Sequence, residues 1–171
     1  MKITEHLRKN QTLYRALFPF LACLFGITAV LMILAPAFVG TGKILGTRYY
    51  FMGFEAAFGL SETVGKTALT ILAPNLLSIL CFLLPIPAVV LCVLSLIPRL
   101  SKYARLFTLI GAALFLLCVL LAFLSLIPFA STVVGREFSG LYTWSYGAGT
   151  VLCAAFSLLS SACLAAKYAI L

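Results

Sequence analysis

The chain has no Asp, a single His and only four Glu residues among its 171 positions. The His, His6, lies close to the N-terminus, and all four Glu residues lie outside the long apolar runs. A charge in the middle of a bilayer costs at least about 2.5–3.5 kcal/mol, so one that is found there usually has a function. The apolar runs of this chain contain none, which argues against intramembrane acid–base chemistry.

These absences exclude several classes of small membrane protein. Small multidrug exporters need a carboxylate in their first span, and the peptidases that process lipoproteins need two Asp residues. A Ser–His nucleophile pair would depend on His6, which is placed away from any apolar run. With one His, no Asp and no clustered Glu, the sequence also predicts no metal site and no cofactor. We therefore expect a protein that is not an enzyme.

Cysteine is present, but not in a redox or metal-binding pattern. All six Cys residues fall within apolar runs, and no CxxC pair occurs. Quinone-linked disulfide formers, by contrast, need pairs of cysteines in their loops. We interpret these thiols as small, buried packing residues.

What the chain has in abundance is apolar surface. Hydrophobic residues make up 64% of it, charged residues 9%, and the mean hydropathy is +1.19. A soluble domain of this length could not bury that much apolar surface, so the chain uses a bilayer as its solvent. Four runs are long enough to cross a core of roughly 30 Å: about 16–39, 68–97, 106–129 and 145–166. The sequence thus predicts an all-α integral membrane protein, one domain over residues 1–171, folded as a four-transmembrane-helix bundle.

The basic residues predict an orientation. Eight of the twelve lie in the N-terminal segment, in the link between spans two and three, and at the end of span four. The other four are diluted by Glu residues in the remaining two connections, at about 40–67 and 130–144. By the positive-inside rule, both termini are cytoplasmic and these two loops are extracytoplasmic. The short loops and compact length favour a plasma membrane, and more specifically a bacterial inner membrane. In such a chain the net charge of +8 sets topology, and we expect no nucleic-acid partner.

Small residues three and four apart predict how the helices pack, because close approach is what drives association in lipid. The last span carries the most regular set, with a strict spacing of four: Gly149, Cys153, Ser157, Ser161 and Ala165. Similar residues at mixed spacings run along the other three spans. The spacing of four also permits contact with a second copy of the chain, so homo-oligomerisation is an open alternative to packing within one bundle.

Span two is predicted to bend, because Pro85 and Pro87 lie within it. A single kinked helix is favoured over two half-helices. Asn75, the only amide in the apolar runs, is read as a helix cap or an interhelical hydrogen bond. A competing hypothesis places a small cavity here, lined by Asn75, Ser78 and the backbone freed around Pro85.

Both predicted outer loops are rich in aromatic residues. The first contains GTRYYFMGFEAAFG at 46–59, and the second contains GREFSGLYTWSYG at 135–147. Phe51, Phe54 and Phe58 repeat at i, i+3 and i+7, as on one face of a short interfacial helix, although 47–52 could equally be extended. The candidate outer interaction face comprises Arg48, Tyr49, Tyr50, Phe51, Phe54, Glu55, Phe58, Arg136, Glu137, Tyr142 and Trp144.

Four spans, cytoplasmic ends and a longer first outer loop resemble the claudin-like arrangement in topology only. The claudin signature of a Trp, a Gly-Leu-Trp and two loop cysteines is missing, since GLYTW at 140–144 lies in the second loop and has no cysteines beside it. The resemblance therefore implies no function for any residue here.

From the sequence we expect a small accessory, assembly or scaffold subunit that presents its aromatic outer loops to a partner protein, to a second copy of itself or to membrane lipid. The alternative is a small transporter, or a protein that binds lipid or a small molecule, with the kinked second span as its moving part. An enzyme is the third reading, and it would have to use Glu55 or Glu137 at the outer surface.

Overall fold

In the described part of the chain, four helical segments are long and apolar enough to cross a membrane: Leu13–Leu34, Leu76–Leu94, Pro98–Ala130 and Ala148–Ala169. The structure is a computed structural model, and it describes residues 11–44, 46–64, 67–132 and 142–170. The four spans confirm the predicted helical, multi-pass architecture. The membrane and the orientation stay predictions.

The helices are α1 (Gln11–Leu31), α2 (Gly53–Phe58), α3 (Leu76–Leu83), α4 (Pro85–Leu94), α5 (Ala104–Leu124), α6 (Leu126–Thr132) and α7 (Ala148–Ile170). Short 3₁₀ turns occupy Met32–Leu34 and Pro98–Tyr103. The strands are β1 (Pro36–Gly42), β2 (Arg48–Met52), β3 (Leu60–Val64), β4 (Thr67–Leu72) and β5 (Tyr142–Tyr146).

A three-stranded antiparallel sheet joins the two loops. Strand β1 lies in its centre, with β2 on one side and β5 on the other, while β3 and β4 form a separate hairpin. Because β1 follows α1 and β5 precedes α7, this pairing places the sheet at one end of the bundle. The link Pro98–Tyr103 and the end of α7 lie at the opposite end.

The strands correct three predicted span boundaries. Residues 36–39, 68–72 and 145–146 were assigned to spans but belong to β1, β4 and β5. An apolar strand has the same hydropathy as a helical segment, so the average over a window does not separate them. Chain-breaking residues mark the true ends: Pro36 cannot continue a helix, and Pro74 and Gly147 come just before helices begin. At the other boundary, α6 extends three residues into the predicted second loop.

Span two is one kinked helix. Leu84, between α3 and α4, keeps helical dihedral angles (φ −57°, ψ −33°), and its N–H donates to the Leu80 carbonyl at 2.9 Å. The kink follows from Pro85 and Pro87, which lack the N–H groups that would bond to the carbonyls of Cys81 and Leu83.

The small residues of the spans form the inside of the bundle. On the first three spans the buried positions include Ala22, Gly26, Ala29, Ser78, Cys81, Pro85, Ala88, Cys92, Thr108, Gly111, Cys118 and Ala122. Gly26 has a specific reason to lack a side chain, because a Cβ there would lie 2.5 Å from Cγ2 of Val89 and 2.8 Å from Cζ of Phe115.

The predicted stripe on α7 needs one correction. Gly149, Cys153, Ser157 and Ser161 are buried, but Ala165 is exposed and Leu164 is buried in its place. Each step of four residues turns about 40° beyond a full helical turn, so a strict spacing of four winds off the buried face. The residues that follow the inner face instead alternate in steps of three and four: Thr150, Cys153, Ser157, Ser160, Leu164 and Lys167. Four of the five predicted residues are therefore buried within one bundle.

Lys167 is a buried cation near the end of α7. Its Nζ donates to the carbonyl oxygen of Ser95 at 3.2 Å and to the Ser95 hydroxyl at 2.7 Å. Ser95 is the C-cap of α4, so the ammonium meets the end of a helix where carbonyls lack partners. This contact ties the ends of α4 and α7 together.

Gly149 lies at the junction between α7 and the first loop, and substituting it tests the packing there. A Cβ at this position would lie 2.8 Å from the Ala35 carbonyl oxygen and 3.0 Å from those of Met32 and Pro36. Because all three are backbone atoms, Gly149→Ala forces backbone shifts that cost about 1–3 kcal/mol. We expect a lower Tm in detergent. Val151→Ala is the control, since Val151 is 52% exposed and its truncation should leave Tm nearly unchanged; equal Tm values for the two variants would contradict the packing described.

Candidate interaction surface

A glycine in the central strand determines how the aromatic side chains are arranged. Gly40 lies opposite Tyr49 in β2 and opposite Trp144 in β5, so all three share one face of the sheet. A Cβ on Gly40 would lie 2.7 Å from Cζ3 of Trp144. The missing side chain thus leaves room for the indole ring to lie over the strand.

The inner face of the sheet packs on an aromatic core. Phe38 stacks on Phe129 with ring centroids 4.1 Å apart, and Phe51 and Trp144 each meet Phe129 at 5.6 Å. The Tyr146 hydroxyl donates a hydrogen bond to the Phe123 carbonyl oxygen. Such pairs contribute about 0.5–1.5 kcal/mol each beyond area burial. Phe51 and Trp144, both predicted as surface residues, are therefore part of the structural core.

Strand β2 presents the exposed part of the predicted face. Arg48, Tyr49 and Tyr50 are exposed, and Tyr50 retains 56% of its accessible surface. Tyr49 touches Tyr142 edge-on, with centroids 5.6 Å apart, so only part of its ring is covered. In the three-stranded sheet β2 is an edge strand, which leaves backbone groups on its outer side without a strand partner in that sheet.

Helix α2 continues this surface. Phe54 and Phe58, one turn apart, are both exposed, while Ala56 and Ala57 are fully buried against the bundle. Phe51 does not join them on one helical face, because the helix begins at Gly53 and Phe51 lies in β2. We call Arg48, Tyr49, Tyr50, Phe54 and Phe58 together the β2 surface. Tyr49 lies on the sheet face of Trp144, and Arg48 and Tyr50 lie on the opposite face, so this surface includes both sides of the β2 edge.

Glu55 has a structural role. Its Oε2 accepts a hydrogen bond from the N–H of Met52 at 2.8 Å, which caps the first turn of α2. Arg136 and Glu137, the other charged pair of the predicted face, lie outside the described residues.

The residues of the competing cavity hypothesis are used within the bundle. Asn75 is buried; its Oδ1 accepts from the N–H of Leu77 at 3.1 Å, and its Nδ2 donates to the Ser125 carbonyl oxygen at 3.2 Å. It is both a helix cap and an interhelical hydrogen bond. Ser78 and Pro85 are buried, and Pro87 lies on the same kink with an exposed ring.

A groove does lie beside the kink, but its walls are aliphatic. It has a volume of about 230 Å³ and is lined by Ile27, Val30, Leu31, Ile86, Val89 and Val90. Neither Asn75 nor Ser78 lines it. It has no polar group to orient a polar solute, and an acyl chain would suit it better.

The fold brings together three cysteines whose proximity cannot be predicted from the sequence. Cys81, Cys118 and Cys153 come from three helices and meet inside the bundle, with each sulfur within 4.8 Å of the other two. The small-residue patterns place each of them on a buried face. Their relative heights along the bundle axis cannot be read from the sequence, because they depend on where each helix begins.

No protein-family model, curated protein or solved structure matches this chain.

The core and the exposed surface are separable by mutation. Trp144→Ala and Phe51→Ala each remove a ring from the packed cluster and should destabilise the protein by about 3–5 kcal/mol. Tyr50→Ala removes an exposed ring and should change stability by less than about 0.5 kcal/mol. Thermal unfolding in one detergent measures all three. A Tyr50→Ala variant as unstable as Trp144→Ala would show that β2 is covered within the folded chain.

Proposed function

We propose that this protein is a small, non-catalytic accessory or assembly subunit that binds a partner protein through the β2 surface. The observation that carries the proposal is the division of the aromatic residues. Most rings of the sheet pack into a core that holds the strands rigid, while Tyr49, Tyr50, Phe54 and Phe58 stay exposed beside an edge strand.

The β2 surface has the two features of a strand-addition site. An edge strand offers main-chain hydrogen bonds to an extended segment, and the side chains beside it supply specificity. Tyr and Arg are also the residues that protein interfaces enrich, because they combine apolar area with hydrogen-bonding ends. Tyr49, Tyr50 and Arg48 therefore suit a partner that contributes a strand or a flat, partly apolar face.

Phe54 and Phe58 support a second contact of the same surface, with lipid. Helix α2 is short and lies at the bundle end that carries the sheet, where exposed aromatic rings favour the interfacial layer of the membrane. Lipid contact there would hold the β2 edge at a constant height above the bilayer.

We propose that the protein lies in a bacterial plasma membrane, with the sheet end outside the cell and both termini in the cytoplasm. Three basic residues in or beside the link at the opposite end support this orientation: Arg99, Lys102 and Arg105. Lys167 adds to this charge from the end of α7.

Reporter cysteines test the orientation. In a variant without the native cysteines, Thr143→Cys on β5 should react with a membrane-impermeant thiol reagent added to intact cells. Ser101→Cys, exposed in the opposite link, should react only after the membrane is opened. The reverse pattern would overturn the proposed topology.

Photo-crosslinking in the native membrane tests the partner. A photoreactive amino acid at Tyr50 should give one adduct of fixed mass, while the same group at Leu120, which is exposed on the lipid-facing side of α5, should give none. Adding Arg48→Glu to the protein that carries the photoreactive amino acid at position 50 should reduce the adduct several-fold without changing Tm.

Three results of that experiment have different meanings. An adduct with a second polypeptide supports the proposal, and its mass identifies the partner. An adduct of twice the chain mass makes the partner a second copy. No adduct from either Tyr49 or Tyr50, or equal adducts from Tyr50 and Leu120, would overturn it.

The alternative function, binding of a lipid or another apolar molecule, is favoured by the aliphatic groove between α1 and α4. Retention of one lipid per chain through purification, lost on Val89→Phe, would support it. A transporter for polar solutes has no such support, since Asn75 is engaged in two structural hydrogen bonds.

A further inference from the structure

Three cysteine side chains from three helices converge in the interior of the bundle. Cys81 on α3, Cys118 on α5 and Cys153 on α7 are 0 or 1% exposed. All three sulfurs lie within 4.8 Å of one another, and Sγ of Cys118 is 3.9 Å from Sγ of Cys153. We propose that these three thiols form a binding site for one soft, thiophilic metal ion of the Cu(I) class.

The spacing of the sulfurs matches a three-coordinate metal. Metal–sulfur bonds are about 2.3 Å long, so an ion in the plane of three sulfurs holds them about 4.0 Å apart. The Cys118–Cys153 separation is already at this value. The other two sulfur–sulfur distances must shorten by less than about 1 Å to reach this value. Rotation of a thiol about its χ1 bond is enough for such a change.

Packing and hydrogen bonding explain one of these thiols but not three. Pro85 has no N–H, so the carbonyl of Cys81, four residues earlier, loses its helical partner. The Cys118 thiol replaces that partner, with Sγ 2.9 Å from the Cys81 oxygen. Sγ of Cys153 is 3.9 Å from the same oxygen, too far to add much. The thiols of Cys81 and Cys153 are therefore not needed to supply a hydrogen bond to the Cys81 carbonyl.

Cys92 provides a comparison within the same bundle. It is fully buried, and its Sγ lies 3.1 Å from the Pro19 carbonyl oxygen, with a different helix supplying the acceptor. Cys23 and Cys163 pack against the same cluster as Cys92, but among the described residues only Cys81, Cys118 and Cys153 bring three sulfurs within 4.8 Å of one another. That convergence calls for an explanation beyond a hydrogen bond to one carbonyl.

The surroundings of the three sulfurs suit a metal ligand set. The hydroxyl of Ser157 donates to Sγ of Cys118 at 3.3 Å, the kind of outer hydrogen bond that orients a ligand and stabilises a thiolate. Ser78, three residues before Cys81 on the same face of α3, is also buried, and its hydroxyl has no hydrogen-bond partner among the described residues.

The class of ion follows from the ligands. Sulfur donors select Cu(I), zinc and iron–sulfur clusters over harder ions. Structural zinc sites almost always have four ligands, and neither a carboxylate nor an imidazole lies in the spans to supply the fourth. Three sulfurs in a dry site fit Cu(I) better. Binding leaves the ion in the same oxidation state, and each sulfur that coordinates as a thiolate releases its proton.

The chain offers a matched pair of variants, each with three cysteines. One keeps Cys81, Cys118 and Cys153 and has Ser at 23, 92 and 163; the other keeps Cys23, Cys92 and Cys163 and has Ser at 81, 118 and 153. Serine preserves a hydroxyl donor for the Cys81 carbonyl. The probe is Cu(I), added without oxygen to the full chain in detergent and competed with a colorimetric Cu(I) chelator.

The first variant and the wild type should bind one Cu(I) per chain, and the second should bind at least 100-fold more weakly. Single substitutions Cys81→Ser and Cys153→Ser should each weaken binding at least tenfold, while Cys92→Ser should not. Equal binding by the two three-cysteine variants, or no binding by the wild type, would overturn the proposal. So would a preference for Zn²⁺ over Cu(I).

X-ray absorption of the copper-loaded wild type gives a result that does not depend on whether a variant folds. Three sulfur neighbours at about 2.3 Å are expected. Coordination by nitrogen or oxygen, or by two sulfurs only, would overturn the three-sulfur site. This inference stands independently of the proposed partner surface, because none of its residues belongs to that surface.

Discussion

Every backbone carbonyl inside a bilayer must find a donor within the protein, and where a helix of this chain ends or bends, side chains of other spans supply some of those donors. A helix leaves carbonyls without partners where it ends and where a proline follows. In this structure two such carbonyls meet a side chain from another helix: Cys118 donates to the Cys81 carbonyl, and Lys167 donates to the Ser95 carbonyl. Asn75 and Thr150 each add a second donor to a carbonyl that already has one. The Ser125 carbonyl also accepts from the N–H of Phe129 at 3.1 Å, and the Ala37 carbonyl from the N–H of Gly147 at 2.7 Å.

The same requirement explains why the buried faces are lined by Ser, Thr, Cys and Gly rather than by leucine. Apolar side chains gain little from contact with one another in lipid, whereas small residues allow close approach and their hydroxyl or thiol groups can bond across helices. Ser160 and Ser161 reach the carbonyls of Ala22 and Ala112, each at 3.1 Å. Interhelical bonds of this kind contribute about 0.6 kcal/mol each on average, so the bundle depends on several together.

Features that depend on nearby residues could be predicted from the sequence, and features that depend on contacts between distant segments could not. Small residues three and four apart identified the inner faces of the spans, because a helix converts spacing directly into direction. The sheet was missed because β1 and β5 are about 100 residues apart, and their apolar residues look like span ends. The prediction that Phe51 and Trp144 are surface residues is wrong because an aromatic ring has the same sequence signal in a core and at an interface. The three thiols were missed since their meeting depends on the relative heights of α3, α5 and α7.

Helix α7 takes part in each of these arrangements. Its first turn packs through Gly149 and Thr150 against the 3₁₀ turn and β1, which also holds β2 in the sheet. One turn further on, Cys153 contributes to the sulfur cluster, and Lys167 near its end meets α4. A displacement along α7 would therefore alter the support of the β2 edge and the sulfur separations at once. Interiors packed to crystal-like density transmit such shifts rather than absorb them. The exposed strand and the buried thiols thus both depend on the position of α7, although no side chain belongs to both.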